Sequence, residues 1–518
     1  MASLSGAPLI RRAAYRPQGD AVAGLAHLGL AGVVILGAML RFYNLGGPSL
    51  WADEIAAVAI AKQPLHVLWS AWMVRETNPP LYYSALHLWM GLFGSSDAAV
   101  RSLSALVGAS IPPLIYVLGR QLANRRVGLI AALFAALWSH QIFYSQEARG
   151  YILGAAGALI AVIGLGRLSD QAAGEAALGR AARAWPWLAY GLGAVIALYT
   201  HTTHVLLPFL ANLYFVWLWV FRSERRPSTL LAWTAVNAVV VGLWAWWGYI
   251  TWLQLHLAQP NFGWIGKPSL SQGISMVLNL YGPAGVTTAK SLGRTVMLGV
   301  GGAFIAGAAF GLARLRPDRA VMLAVFAVGA PVLLFVISQK APIMLPRTML
   351  WAQFAVIIGL ASAIAAVRQA ALRAALVGAV AALLAVGGFI QTPKEPWRPL
   401  TAELGQRVGA HDVVLVSSVS DGVYLQHYCA VFACRFPVID LISPTDNQNR
   451  WAEGLFKGAL IPPSALPALL AAHPIVWTVS RWADDPRPAL APVATKAAEL
   501  SLHAALPEFM AVAAWRRR

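Results

Sequence analysis

Two adjacent carboxylates, Asp53 and Glu54, directly follow the first long apolar segment of the chain. A carboxylate close to lipid is costly to desolvate, so its presence there asks for a role. At a dry interface its pKa is raised, and it can then act as a general base toward a hydroxyl or amine acceptor. We predict that Asp53 is catalytic and that Glu54 binds substrate. The alternative is that either residue caps the helix that follows.

A second group of polar residues lies in a very short loop between two apolar segments, with the sequence YSQEARGY at 144–151. Because the loop is short, Glu147 and Arg149 are forced close to lipid depth. A single snorkelling arginine is common, but this combination is less so. We predict a catalytic role for Glu147. The substrate-binding residues predicted in this loop are Tyr144, Gln146, Arg149 and Tyr151.

Further candidates lie in other loops between apolar segments. Lys340 and Arg347 flank two prolines, and their charges suit a lipid phosphate that leaves; the alternative is lipid-headgroup binding. Arg41, Asn78 and Tyr82 are also predicted to bind substrate, although Tyr82 also fits an interfacial aromatic belt. His201 and His204 form a tight turn and could share a metal with carboxylates, or could simply form interfacial hydrogen bonds.

Composition identifies a polytopic membrane protein, because 58% of the 518 residues are hydrophobic and only 12% are charged. The net charge of +18 does not indicate nucleic-acid binding, since the basic residues form short clusters between apolar segments. Walker, Rossmann and serine-nucleophile sequences are absent, which argues against ATP-driven and dinucleotide chemistry.

Membrane topology follows from segments of roughly 20 apolar residues. We predict eleven transmembrane helices, at 21–40, 99–119, 127–143, 150–167, 185–200, 204–221, 229–252, 294–313, 320–338, 348–367 and 374–391. Two further helices, at 54–73 and 79–94, are predicted to lie along the membrane interface in the first outer loop, 41–98.

Arginine clusters occur in every second loop, on the same side as the N-terminal arginines, and this pattern predicts orientation. Residues 1–20 are predicted to be a retained cytoplasmic tail rather than a cleaved signal peptide. The candidate residues and the C-terminal region then face the periplasm, from a bacterial inner (plasma) membrane. The predicted domains are the tail, a transmembrane catalytic domain at 21–391 and a periplasmic domain at 392–518.

The C-terminal region loses the long apolar segments and is predicted to be a small α/β domain. Strands are expected at 413–417 and 475–479, and helices at 400–410, 464–473 and 491–505. Cys429 and Cys434 lie here; an extracytoplasmic location permits a disulfide, and two buried free thiols are the alternative.

Three motifs in this order carry a resemblance to a known family: SLWADE at 49–54, NPPLYY at 78–83 and YSQEARGY at 144–151. They resemble the GT-C glycosyltransferases of the protein-mannosyltransferase type, a group that includes the bacterial enzyme that adds aminoarabinose to lipid A. The resemblance covers roughly residues 30–220. It implies a GT-C membrane fold, a polyprenyl-phosphate sugar donor, inversion at the anomeric carbon and an acceptor on the outer face.

The resemblance also implies residue roles. The essential acidic residue of the first outer loop corresponds to Asp53, and the acidic residue of the second outer loop to Glu147. A divalent metal, where one is used, would be held by Glu76 with His201 or His204; no other cofactor is predicted.

The sequence therefore predicts an inverting glycosyltransferase that moves a hexose or pentose from a polyprenyl-phosphate donor to a lipid, glycan or protein acceptor. Its expected partners are that donor, that acceptor and membrane lipids, with no nucleic acid. Two alternatives remain open: a lipid-linked glycan ligase or polymerase, and a lipid or sugar flippase without covalent chemistry. A transporter should carry charges near mid-span, and these segments are almost free of them.

Overall fold

A computed structural model describes most of the chain. The described residues are 20–172, 180–221, 226–257, 265–283, 291–389, 394–416, 418–441, 452, 454–481, 490, 494–499 and 510–517. The predicted cytoplasmic tail therefore lies, except for its last residue, outside the described residues.

The described part of the chain is mainly helical, and each of the eleven predicted transmembrane segments overlaps a helix. These helices are α1 (Asp20–Phe42), α5 (Asp97–Ala109) with α6 (Ile111–Leu122), α7 (Arg125–Leu137) with α8 (Ser139–Ser145), α9 (Tyr151–Ala172), α10 (Arg180–Leu198), α11 (Leu206–Phe221), α12 (Pro227–Leu257), α14 (Ser291–Leu312), α15 (Pro317–Ser338), α16 (Gln353–Ala365) and α17 (Ala370–Phe389). Another helix, α13, covers Leu270–Tyr281. Seven spans within the described residues are long and apolar enough to cross a membrane, and an eighth if the bent α7–α8 pair is one span.

The loop between α1 and α5 contains two helical regions, as predicted, but the first is not one helix. It consists of α2 (Ala52–Ala61), the short α3 (Leu65–Leu68) and a 3-10 turn at Ala71–Arg75. The prediction of a continuous helix over 54–73 is wrong because Pro64, with φ −58° and ψ 146°, stands between α2 and α3 in an extended conformation. The second region is α4 (Leu81–Phe93), which begins after the Pro-Pro pair.

A six-stranded sheet forms the C-terminal region. Its strands are β1 (Val413–Val416), β2 (Val438–Leu441), β3 (Ala459–Ile461), β4 (Val476–Arg481), β5 (Ala494–Glu499) and β6 (Met510–Arg517). The order is β3-β2-β1-β4-β6-β5; the first four strands are parallel, and β6 is antiparallel to β4 and β5. Helices α18 (Trp397–Arg407), α19 (Val419–Phe432) and α20 (Leu466–Ala472) accompany the sheet.

One predicted helix in this region is a strand. The segment 491–505 contains β5, which pairs with β6 at the sheet edge, so tertiary pairing overrides the helix propensity of its alanines; residues 491–493 and 500–505 lie outside the described residues. The two predicted strands are present as β1 and β4. Cys429 and Cys434 form a disulfide at the end of α19.

Two different groups of polar residues lie at different places on the helical bundle: the arginine-cluster loops and the loops with the candidate site residues. At one end, Arg319 in the first turn of α15 pairs with Asp170 at 2.8 Å and donates to the carbonyl of Leu122 at 3.0 Å. Three of the loops that carry the predicted arginine clusters therefore meet at this end. The loops that carry Asp53, Glu147 and Arg347 meet one another instead. The chain is a polytopic α-helical membrane protein with a small C-terminal α/β region.

Candidate active site

Helix α2 presents its two adjacent carboxylates to different surroundings. Glu54 is fully buried, and Arg101 from α5 binds both of its oxygens, at 2.7 and 2.6 Å. Lys394 donates to Glu54 at 3.0 Å, and the backbone amide of Ala148 donates at 2.9 Å. Arg101 also donates to the carbonyls of Leu45, Pro48 and Ser49, each at 2.7 Å.

This network makes Glu54 a structural residue. Burial by itself would raise the pKa of the Glu54 carboxyl, but Lys394 and the two hydrogen bonds from Arg101 outweigh it and lower the pKa below its usual value. The Glu54 oxygens are already occupied by these donors, so this side chain is not available for the predicted contact with substrate. The cap alternative is present, because Glu54 also accepts the backbone N–H of Trp51 at 3.3 Å.

Asp53 has the more open surroundings. Its side chain is 31% exposed, and the guanidinium of Arg347 lies 3.6 Å from its Oδ2 atom. Arg149 donates to the backbone carbonyl of Asp53 at 3.3 Å. No side-chain cap hydrogen bond from Asp53 is formed at the N-terminus of α2, so the structure does not support the cap alternative for this residue. A partly exposed carboxylate with one long ion pair can accept a proton from a bound group.

The two arginines share one aromatic ring. The guanidinium carbons of Arg149 and Arg347 each lie 5.6 Å from the ring centre of Tyr151. Arg149 also donates to the hydroxyl of Tyr83 at 3.4 Å. Burial opposes the charge of Arg149, yet Tyr151, Tyr83, Asp53 and Glu76 raise its pKa further, so it stays cationic. Two guanidinium groups beside one carboxylate give this surface an excess of positive charge.

Glu147 lies behind this surface and is 1% exposed. Its nearest described cation is Lys394, 3.8 Å from Oε1, and neither oxygen has a hydrogen-bond partner among the described residues. Burial raises the pKa of Glu147 to about 7, with Glu54 and Asp53 adding to the rise and Lys394 opposing it. Glu147 can therefore exchange a proton near neutral pH.

A small recess opens beside Arg149 and Tyr151. Its walls also include Asn78, Pro79, Tyr82, Tyr83, Gly150, Thr200 and His201. Asn78 is oriented by Glu76, whose Oε1 accepts its side-chain N–H at 2.8 Å, and the Tyr82 hydroxyl bonds that of Ser104 at 2.8 Å. The NPPLYY motif at 78–83 and the 144–151 loop thus line the same recess, in agreement with the prediction that both lie on one side of the membrane.

A larger cavity, of about 260 Å³, lies beside the two cations that bind Glu54. Its walls combine Arg101 and Lys394 with mainly apolar side chains, among them Leu40, Leu137, Ile142 and Phe143. Lys394 also lies 5.8 Å from the ring of Phe143. Both cations are already bound to Glu54, so the mainly apolar walls suit a lipid chain.

Two predicted substrate-binding residues make structural hydrogen bonds to the backbone. Arg41 is buried and donates to the carbonyls of Gly37, Ala135 and Ala136, which joins α1 to the end of α7. Gln146 donates to the carbonyls of Leu40 and Tyr43. The prediction for Arg41 is therefore wrong, because this side chain is fully buried and its N–H groups satisfy backbone carbonyls. Gln146 is half-buried and also lines the larger cavity, so its substrate contact stays a prediction.

Two other predicted residues lie at the margin of the site. The ring of Tyr144 packs edge-on against Tyr151 at 5.4 Å. Lys340 is exposed beyond the end of α15, and its side chain makes no hydrogen bond or ion pair with the described residues. The structure thus brings Arg347, but not Lys340, into contact with Asp53.

The donors offered for a metal do not fit one. Among the described residues, no three His, Cys, Asp or Glu side chains converge on a common point. The Nδ1 atom of His201 is occupied by Thr203, and His204 bonds the carbonyl of His201. Burial, followed by His204, Arg149 and Arg347, lowers the pKa of His201 well below its usual value, so it is neutral. No reaction step below uses a metal.

Sequence reasoning missed three residues of this site. Arg101 lies in a predicted span, and a charge there signals a buried partner, so this signal was available. Tyr83 belongs to the NPPLYY motif but is not among the predicted substrate-binding residues. Lys394 lies 340 residues from Glu54, and no local pattern links them.

These features define a multi-pass membrane protein whose acidic and cationic loop residues converge at one end of the bundle. Among solved structures, the chain is similar to ArnT from Cupriavidus metallidurans, in the apo state (TM-score 0.61, 13% identity, covering 96% of this chain and 98% of that one). A second ArnT structure, bound to undecaprenyl phosphate, has a TM-score of 0.60 at 14% identity, over 95% and 98% of the two chains.

The archaeal oligosaccharyltransferase AglB from Archaeoglobus fulgidus, in complex with an inhibitory peptide and a dolichol-phosphate, is similar over 89% of this chain and 70% of its own (TM-score 0.50, 12% identity). No protein-family model and no curated protein sequence matches the chain. The chain has the GT-C glycosyltransferase fold, as the motifs predict.

Proposed function

We propose that this protein is an inverting glycosyltransferase that moves a sugar from a polyprenyl-phosphate donor to a lipid, glycan or protein acceptor. The observation that carries the proposal is the partly exposed carboxylate of Asp53, which lies 3.6 Å from Arg347 and beside Arg149. A base and two cations at one surface are what a displacement at an anomeric carbon with a phosphate leaving group requires.

The arginines bind the phosphate. A guanidinium group can donate two parallel hydrogen bonds to phosphate oxygens, and Tyr151 holds both guanidinium groups in place. As the bond between the anomeric carbon and the phosphate oxygen breaks, its electron pair passes to the phosphate. Arg149 and Arg347 then stabilise the added negative charge, and no separate acid is needed.

Asp53 acts on the acceptor. The acceptor hydroxyl or amine attacks the anomeric carbon from the face opposite the phosphate, and its proton passes to the Asp53 carboxylate. The products are the glycosylated acceptor with inverted configuration and polyprenyl phosphate. Glu147, buried behind the same surface with no described hydrogen-bond partner, is assigned to orient the substrates.

A lipid-borne donor is supported by two observations. The 260 Å³ cavity has mainly apolar walls, which suits the chain of a lipid. The similar structures named above include one with undecaprenyl phosphate and one with a dolichol-phosphate. We further propose that the chain lies in a bacterial inner membrane with the site and the C-terminal region facing the periplasm, because the arginine clusters favour that orientation.

The test is transfer by the purified full-length protein in sealed proteoliposomes. Undecaprenyl phosphate that carries a radiolabelled hexose or aminoarabinose serves as donor, and membrane lipids and glycans serve as acceptors. We expect covalent label on an acceptor with the wild-type protein and none with Asp53→Asn. Arg314→Gln, on the loop after α14 that belongs to the opposite end of the bundle, is the matched control and should transfer normally.

Full transfer by Asp53→Asn would remove the proposed base. Label that crosses the bilayer without covalent attachment would instead identify a flippase. Use of only pyrophosphate-linked oligosaccharides would identify the ligase or polymerase alternative.

A further inference from the structure

The N-terminus of α2 is held by a residue far along the chain. Glu395 is 7% exposed, and its Oε2 accepts the backbone N–H of Ala52 at 3.0 Å and the indole N–H of Trp397 at 2.7 Å. Ala52 is the first residue of α2, so its N–H has no partner within the helix. A carboxylate at this position also interacts favourably with the helix dipole.

Glu395 is itself fixed by the C-terminal sheet. Arg481, the last residue of β4, donates to the other oxygen of Glu395 at 2.9 Å and to Asp421 on α19 at 3.1 Å. Its guanidinium carbon lies 5.1 Å from the ring centre of Tyr424. Arg481 is therefore held on several sides, and the position of Glu395 follows from that of β4.

The segment before α2 is held from the same direction. The hydroxyl of Tyr428, on α19, accepts the backbone N–H of Leu50 at 2.7 Å and donates to Asp97 at 3.0 Å. Arg398 donates to the carbonyl of Gly46 at 3.0 Å and pairs with Asp97. Contacts from residues beyond α17 thus fix the backbone on the N-terminal side of Asp53.

We propose that Glu395, fixed by Arg481, is a positioning residue that sets the location of the Asp53 carboxylate by capping α2. The inference rests on the proposed role of Asp53 as the base. It assigns the C-terminal region a part in catalysis, through one chain of contacts from β4 to Arg481, Glu395, Ala52 and Asp53.

Geometry makes this position sensitive. Asp53 follows Ala52 directly and has no side-chain cap bond of its own, so a shift of the first turn moves its carboxylate relative to Arg347. A displacement of about 1 Å can reduce a rate by roughly 100-fold, since the reacting atoms must be aligned. Loss of this cap should therefore change the catalytic step more than substrate binding.

Glu395→Gln tests the idea with little change in shape. All three groups that face Glu395 are donors, whereas glutamine has one acceptor oxygen and an NH2 group. If the oxygen faces Arg481, the NH2 group opposes the N–H of Ala52 and the cap is lost. We expect kcat to fall about 10- to 100-fold, with the KM for the labelled donor changed less than about threefold.

The double variant Glu395→Gln, Arg481→Met provides the rescue. Without Arg481, the glutamine oxygen is free to turn toward Ala52 and Trp397, so kcat should return to within about fivefold of wild type. A merely structural role would give the double variant a lower activity than the single one. Tyr428→Phe, which removes the bond to Leu50, should reproduce a smaller loss of kcat at unchanged KM.

Arg407→Met is the matched control, because Arg407 pairs with Glu403 in α18 and not with the segment before α2. It should leave kcat unchanged. If Asp53→Asn abolishes transfer while Glu395→Gln keeps the wild-type kcat, the inference is wrong and the proposed function stands. If Asp53→Asn transfers normally, the proposed base is wrong, and the positioning inference fails with it.

Discussion

The two faces of helix α2 hold neighbouring carboxylates in opposite surroundings. Glu54 is fully buried and receives hydrogen bonds from Arg101, Lys394 and the backbone of Ala148. Asp53 is 31% exposed and has one long ion pair, to Arg347. The buried face fixes the helix, and the open face is left able to react. Adjacent acidic residues in a sequence motif can therefore have different roles.

A second contrast concerns the carboxylates that share Lys394. Its ammonium group lies 3.0 Å from Glu54 but 3.8 Å from Glu147. Among the described residues, Glu54 also forms an ion pair with Arg101, and Glu147 forms none with an arginine. The pKa of Glu54 is accordingly lowered and that of Glu147 raised. Burial raises the pKa of both groups. For Glu54 the charge of Lys394 and the hydrogen bonds from Arg101 outweigh burial, whereas for Glu147 the neighbouring carboxylates Glu54 and Asp53 add to it.

The largest expected effect falls on the open face. Asp53→Asn should reduce kcat by about 10²–10⁴-fold, the usual contribution of a general base. Its unfolding free energy should change by less than about 1 kcal/mol, because the ion pair to Arg347 is long and partly exposed. Initial rates and thermal unfolding of the same preparation measure both quantities. A variant that loses activity only because it unfolds would break the contrast.

The buried face should show the reverse. Glu54→Ala leaves Arg101 buried without its carboxylate partner and should lower the unfolding free energy by about 3–5 kcal/mol. Chemical unfolding in mixed micelles measures this change. Glu403→Ala, which removes a partly exposed pair with Arg407, is the control and should change it by less than about 1 kcal/mol. Similar losses in the two variants would mean that Glu54 is not the anchor of α2.

Hydropathy and loop motifs predicted the helical bundle well, because membrane spans require long apolar segments and these are visible locally. The same logic placed Asp53, Glu147, Arg149 and Arg347 in outer loops, and the structure brings them together. The first interfacial region was predicted too long because its apolar pattern continues across Pro64.

Pairing over long distances in the sequence was not predictable in this way. Lys394 and Glu54 are 340 residues apart, and Arg481 and Glu395 join two segments with no shared motif. An isolated sequence shows that a charge is costly near lipid, but not which opposite charge compensates it. For this reason Arg41 and Glu54 were assigned to substrate, although the structure uses them as internal ties.

The pH dependence of stability tests the raised pKa of Glu147. Because the pKa of Glu147 is raised to about 7, the folded state keeps its proton over a pH range in which the unfolded chain has lost it. This residue therefore reduces stability as pH rises from about 4.5 to about 7, and the loss stays constant above that. Glu147→Gln should then be more stable than wild type at pH 8 by roughly 1–3 kcal/mol, and equal to it at pH 4. Unfolding curves at both pH values check this, and an unchanged difference between them would contradict the raised pKa.

The smallest expected effect distinguishes the two cations predicted to bind phosphate. Arg347 faces Asp53 and stacks near Tyr151, so Arg347→Lys keeps the charge but loses the planar fork, and kcat/KM for the labelled donor should fall about three- to tenfold. Lys340 is exposed and makes no side-chain hydrogen bond or ion pair with the described residues, so Lys340→Gln should change kcat/KM by less than about twofold. An equal loss in both variants would mean that the loop between α15 and α16 closes on the donor phosphate during the reaction, because only a closed loop brings Lys340 to the surface that Arg347 already occupies.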